Sequence, residues 1–210
     1  MPLLTVGFNR RFAPLAVRMK AAFARRSEPL AAHYRVNAGF LPLTHWTQDP
    51  AVGGGRIIGE GCHFIDFLSF LVGAAPIAVQ AAALPDNGRY HRDNAILTFT
   101  FPDGSLGTLT YLANGDKSVA KERVEAFCAG TVAVLDDFRS LEVTANAKRV
   151  VVRSPLGQDK GHAASWANFL AAVHAGGPPP IPYAQLLGVS RMAIAAETAL
   201  GGTTSPSEGR

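Results

Sequence analysis

From Ile77 to Arg153 the chain repeats one short unit, and that repetition narrows its possible folds more than any other feature. IAVQAAAL, NAILTFTF, SLGTLTYL, RVEAFCA, TVAVLDDF and KRVVVRS are each seven or eight residues long, with branched and aromatic side chains in partial alternation. Pro102-Asp103-Gly104 and Ala129-Gly130 supply turns between neighbours. Consecutive strands joined this closely pair antiparallel, leaving one face for other elements to cover.

Helical signals bracket this region. Pro14 opens LAVRMKAAFARR in the first-turn position that proline tolerates. Trp166, Phe169, Leu170 and Val173 recur at helical spacing before Gly176-Gly177, and YAQLLGVSRMAIAAETALGG reads as a second C-terminal helix. Leu3–Phe8 reads as a short buried strand and Leu30–Phe40 as another. The expectation is an α+β fold: a mostly antiparallel open β-sheet with helices packed on one face. Residues 1–26 look left over from another unit, 27–202 form the main domain, and TTSPSEGR at 203–210 is a frayed end.

Composition excludes several classes. With 48% hydrophobic and 17% charged residues the chain is globular. No apolar run approaches the roughly 20 residues of a membrane span. Cys62 and Cys128 form no CxxC pair, and no secretory signal is evident, which places the chain in a reducing compartment, the cytoplasm. Arg10, Arg11, Arg18, Lys20, Arg25 and Arg26 all precede the first acid, Glu28. No aromatic platform accompanies them, so they read as a solvated helix face and not a nucleic-acid arm.

The stretch GGGRIIGEGCHFIDFL, Gly53–Leu68, concentrates the chemistry. Its glycines do not make a dinucleotide loop, because Gly59-Glu60-Gly61 lacks the third glycine, and no P-loop lysine exists. Cys62 and His63 are adjacent and point about 100° apart on a helix, so no metal site is expected. PDGSLG lacks the glycine of a nucleophile elbow, and its serine reads as structural. On a helix, Arg56, Glu60, His63 and Asp66 fall within a sector of roughly 120°. That stripe is either a solvent face or a functional edge. Gly59 and Gly61 cost up to about 1 kcal/mol each against Ala, which points to close approach by backbone or ligand. In the functional reading His63 is a general base, Glu60 and Asp66 orient it and raise its pKa, and Arg56 meets an anionic group. Upstream, Asn37, His45 and Trp46 fit a sugar-binding surface, and equally a core Trp under a long loop.

Four ordered segments, VGFNRRFAP, YRVNAGFLPLTHWTQDP, GGGRIIGEGCHFIDFLSFL and KERVEAF, resemble the Gfo/Idh/MocA oxidoreductases over nearly the whole chain. The resemblance implies an N-terminal Rossmann domain that binds NAD(P). It also implies a C-terminal α/β domain with a large open sheet, which holds a sugar-type substrate and builds a homo-oligomer through that sheet. His63 matches the family's catalytic histidine. Asn9, Arg10 and Arg11 match a segment at the end of the last Rossmann strand, which makes residues 1–26 a remnant of that strand and its linking helix. The glycine-rich cofactor loop and the Glu-Lys-Pro segment are absent, so no cofactor-binding residue is assigned. The family's acid four residues before the histidine is Gly59 here, and Glu60 stands one residue later.

The expectation is therefore the substrate-binding and oligomerisation domain of an NAD(P)-dependent oxidoreductase acting on a sugar, sugar derivative or polyol. His63 and Glu60 are its catalytic candidates, and Asn9, Arg11, Asn37, His45, Trp46, Arg56 and Asp66 its substrate-binding candidates. NAD(P) belongs to the complete enzyme and not to this chain alone. Expected partners are the substrate, further copies of the chain and a separately encoded Rossmann domain, with neither nucleic acid nor membrane. The alternatives are a non-enzymatic sugar-binding or assembly module, and a free-standing hydrolase or isomerase using His63 and Glu60.

Overall fold

The computed structural model describes residues 3–49 and 51–202. The frayed end expected at 203–210 lies outside the described residues. Eight strands form one sheet: β1 Ala31–Asn37, β2 Ala78–Ala83, β3 Asn94–Thr100, β4 Leu106–Leu112, β5 Glu122–Cys128, β6 Thr131–Asp136, β7 Ser140–Ala145 and β8 Lys148–Arg153. Their spatial order is β2-β3-β4-β1-β5-β6-β7-β8. β1 lies between the two hairpin runs, parallel to β4 and antiparallel to β5, and every other pairing is antiparallel. The α+β expectation is met, with one parallel pair inside it.

Strand β7 has no counterpart among the six expected segments of the repeat. It is bracketed by turns without glycine: Asp137 and Phe138, then Asn146 and Ala147, all take positive φ. Two-residue hairpin turns need that geometry and usually obtain it from glycine, so the punctuation was hidden. The strand expected at Leu3–Phe8 does not form. Those residues pair with no strand, and Leu4 and Val6 are exposed.

Helices α1 Pro14–Ala22, α2 Cys62–Val72 and α4 Tyr183–Gly202 cover one face of the sheet. The core lies between them, with Leu15, Ala16 and Met19 of α1, Phe64, Ile65 and Phe67 of α2, and Tyr34, Leu97, Leu109 and Val124 from alternate strand positions. α1 packs on β6 and β7, so residues 14–22 belong physically to the same core. The opposite face carries no helix among the described residues. Across it Leu106, Ala31, Phe127 and Val132 line up in register. Helix α3, His162–Ala175, forms where its apolar spacing predicts, yet none of its residues is buried.

Candidate active site

The glycine-rich stretch folds as a tight loop, one turn of π-helix at Ile57–Gly61, and then α2. A Cβ on Gly53 would lie 2.4 Å from the Thr47 Cα, so the backbone passes too close for any side chain. Of the two glycines beside Glu60, Gly59 is approached by backbone, a Cβ there lying 3.3 Å from Gly53 O, whereas at Gly61 it would meet the Ile57 side chain. π-turns cluster at functional sites because they re-aim the side chains of a helix. Here the turn aims Arg56 and Glu60 at the sheet.

The polar stripe does not face solvent. Arg56 is buried and donates to Gly39 O and Glu60 Oε2, 3.0 Å each, with its guanidinium over the Tyr111 ring. Glu60 also accepts from the Tyr111 hydroxyl and from Lys121 Nζ. Burial would raise the Glu60 carboxyl, but the bonds from Lys121, Tyr111 and Arg56 outweigh it and hold the group at about 2. Arg56 Nη1 stands 3.9 Å from Asp93 Oδ2, which also accepts from Gln48 Nε2 at 3.1 Å. That contact ties the loop after β1 into the cluster.

A second buried carboxylate is organised in the same way. Glu122 accepts from Arg10 Nε at 2.7 Å and Nη2 at 3.0 Å, from Lys160 Nζ at 2.6 Å, and from the Tyr34 hydroxyl. Burial pulls its pKa up, the Arg10 bonds and charge pull it further down, and the net value is about 2. Val36 is the register partner of both Tyr111 and Glu122, so the two clusters sit side by side at the end of β1.

His63 feels the charge of both. Burial, then the charge of Arg10, push its imidazole down from 6.5 to about 4; His162 acts the same way, and Glu60 and Glu122 oppose them. Phe8 packs edge-on at 5.5 Å, and the buried Nδ1 has no hydrogen-bond partner. His63 is therefore a neutral imidazole at physiological pH with an unsatisfied inner nitrogen. Glu60 pushes the His63 pKa upward as expected, but burial and Arg10 outweigh it, and Asp66 is not among the groups raising it. Both carboxylates are engaged elsewhere, because arginines reach them first.

Asp66 is fully buried and forms a two-pronged pair with Arg11, 2.9 Å from Nε and 2.5 Å from Nη2, while Arg11 Nη1 donates to Gln185 at 3.0 Å. The pair locks the turn Asn9–Phe12 to α2 and α4, and its donors and acceptors are spent on each other. Asn9 donates to Lys160 O at 2.8 Å. Asn37 donates to Asp116 O at 2.6 Å and Val119 O at 3.1 Å, pinning the loop before β5, while its Oδ1 is buried without a partner. His45 Nδ1 contacts Thr47 Oγ1 at 2.9 Å. Trp46 is 62% exposed, so the core-Trp alternative is excluded. The Cys62 thiol beside His63 is pushed up to about 11 by burial and is unreactive at neutral pH.

Sequence reasoning missed Glu122, Tyr34, Tyr111, Lys121 and Lys160. For Glu122 a signal existed: it occupies the inward phase of β5, with Val124 and Ala126. A charged residue on the apolar phase of an alternating strand must be paired.

These features define an α+β domain with an open eight-stranded sheet and a histidine-bearing helix on its covered face. The chain belongs to the GFO/IDH/MocA family: the model of that family's C-terminal domain matches residues 26–130. No curated protein sequence matches it significantly. Among solved structures it is similar to an aldose-aldose oxidoreductase from Caulobacter crescentus complexed with glycerol (15% identity, TM-score 0.78, 96% of this chain and 63% of that one). A levoglucosan dehydrogenase in complex with NADH and levoglucosan is 19% identical with a TM-score of 0.76, over 95% of this chain and 64% of that one. A UDP-N-acetylglucosamine 3-dehydrogenase from Acidithiobacillus ferrooxidans is 21% identical with a TM-score of 0.70, over 94% and 61%. The chain thus spans less than two-thirds of the length of these structures.

The glycine run Gly53–Gly55 does not form a dinucleotide loop. No G-x-G-x-x-G sequence exists, and the backbone at Gly53 is pressed against Thr47, leaving no cradle for a pyrophosphate there.

Proposed function

We propose that this chain is the substrate-holding and oligomer-forming domain of an NAD(P)-dependent oxidoreductase that acts on a CH–OH group of a sugar, sugar derivative or polyol. One observation carries the reading: the neutral imidazole of His63 sits in the electrostatic field of both ionised carboxylate clusters. A neutral imidazole can take the proton of a substrate hydroxyl, and the surrounding cations favour the alkoxide that results. Glu60, ionised and saturated by three donors, positions Arg56, Lys121 and Tyr111; proton uptake belongs to His63. Trp46, His45 and Asn37 remain substrate-binding candidates on the loops, whereas Arg11 and Asp66 position the Asn9–Phe12 turn. The nucleotide is held by residues outside this chain, so the chain alone is inactive. The named neighbours, which include levoglucosan and aldose enzymes, support the substrate class.

The open sheet face is the proposed self-association surface. Leu106 and Phe127, 48% and 45% exposed, flank Ala31 in one register level of that face, with Ile96 and Val151 exposed at neighbouring levels among charged side chains. Light scattering of the purified chain should give an oligomer, and Phe127→Lys should reduce it to monomer. Both cysteines are free thiols, consistent with a cytoplasmic protein.

The test of the site is NMR of the full-length chain with a panel of sugars and polyols. The His63 ring signals, assigned by comparison with His63→Gln, should shift on addition of at least one of them. NAD+ and NADH should give no calorimetric binding. Tight NAD+ binding, or a panel that leaves His63 unmoved, overturns the proposal.

A further inference from the structure

We infer that the sugar taken at His63 is anionic, its carboxylate or phosphate being received beside Lys160 and His162. This rests on the reading of His63 as the substrate site, and it narrows the substrate class.

The argument is one of charge balance in a poorly hydrated place. Around Glu60, the cations Arg56 and Lys121 are matched by Glu60 itself and Asp93. Arg11 is matched by Asp66. Around Glu122 the balance fails, because Arg10 and Lys160 both converge on one carboxylate, and Tyr34 stays protonated, its pKa raised well above the usual value by burial. One positive charge is left over in a cluster that the Phe8-Asn9 segment joins to His63, Phe8 packing on its ring at 5.5 Å and Asn9 bonding Lys160 O at 2.8 Å. Asp159, the neighbour of Lys160 in sequence, accepts on its Oδ1 from the Gly161 N–H at 2.8 Å and lines a different cleft with Arg18 and Val152. An unbalanced cation in a low-dielectric site costs energy, and a ligand anion offsets it.

The geometry indicates where that anion goes. Lys160 is anchored by its bond to Glu122 yet keeps 17% of its side chain exposed, with spare donors. His162, two residues on, is exposed and close enough to His63 to act on it electrostatically. Gly161 between them packs closely on the turn: a Cβ there would lie 2.4 Å from Ala13 N, and its φ is +80°. Asn9 donates to Lys160 O at 2.8 Å, which attaches the Lys160–His162 segment to the Asn9–Phe12 turn. An anion at this position would also oppose the Arg10 field that holds His63 low, returning the imidazole toward the range in which it works as a base.

The test compares neutral and anionic partners of one skeleton. The full-length chain at low ionic strength is titrated by NMR with D-glucose against D-glucuronate, D-galactose against D-galacturonate, and with D-glucose 6-phosphate. At least one anionic probe should bind about tenfold tighter than its neutral partner. That probe should raise the His63 titration midpoint by about one unit, and Lys160→Met should abolish both effects. Glucuronate or galacturonate as the winner assigns a carboxylate, and glucose 6-phosphate a phosphate. If neutral sugars shift His63 as strongly as their anionic partners, the anionic inference falls and the sugar site stands. If no probe moves His63, both fall. Inorganic phosphate alone raising the midpoint as far as the sugar anions would also overturn it, as attraction of any anion. The probe ranking in the unmodified chain decides the matter even if Lys160→Met fails to fold.

Discussion

Two carboxylates in this domain are built alike and behave differently. Glu60 and Glu122 each accept from an arginine, a lysine and a tyrosine, and each is held near 2 by those donors against the pull of burial. The Glu122 side chain is 1% exposed and that of Glu60 is 26% exposed. The partners of Glu122 come from distant segments, the turn before α1, strand β1 and the segment before α3, so this carboxylate fastens three parts of the chain together. Glu60 takes Arg56 from one turn earlier in its own helix, and its lysine is itself 37% exposed. Identical chemistry is a bolt in one place and a reachable wall in the other. Burial and the origin of the arginine partner separate the two.

The largest effect should come from breaking the bolt. Glu122→Ala leaves Arg10 buried beside an empty partner site and should cost about 3–5 kcal/mol, read from urea denaturation. Glu60→Ala should cost less than half of that, since water can replace the lost carboxylate. Equal losses would erase the distinction between the clusters.

The next effect concerns His63. Its pKa in the folded chain lies below the unfolded value, so the stability it contributes is complete above pH 6.5 and is lost as pH falls through about 4. Asp66, raised to about 6 by burial, favours the folded chain as pH falls over nearly the same interval, so the His63 effect should appear as the difference in melting temperature between the unmodified chain and His63→Gln, growing from pH 6.5 to 4. Glu60 and Glu122 act at lower pH: their folded values of about 2 lie beneath the ordinary 4.5, so their stabilisation is lost between those limits. A histidine signal titrating near 4 by NMR would confirm the assignment, and a midpoint at the ordinary value would break it.

Smaller still is the tyrosine pair. Tyr34→Phe removes a hydroxyl from a fully buried acceptor and should cost about 1–2 kcal/mol, with Tyr111→Phe costing less because Glu60 keeps solvent access. Trp46→Ala should leave stability within about 0.5 kcal/mol while weakening any sugar binding, since its ring is exposed.

Much of the scaffold could be read along the chain. Alternation and turn residues located β2 to β6 and β8, and helical spacing located α1, α3 and α4. β7 escaped because Asn146-Ala147 performs a glycine's task without a glycine. The stripe Arg56, Glu60, His63 and Asp66 was found by helical geometry, but its environment was not. Which side of α2 faces solvent depends on what packs against it, and α4, more than a hundred residues further along the chain, supplies part of the answer.

The sequence by itself determined the period of each element, hence the α+β architecture, and it singled out His63, because local geometry needs only neighbours a few residues apart. Tertiary structure alone decided that β1 inserts between β4 and β5, that Arg11 consumes Asp66, and that Glu122 joins Arg10, Tyr34 and Lys160. Those outcomes depend on contacts between residues far apart in the chain, and on burial, which makes a charge search out its partner and has no signature in local spacing.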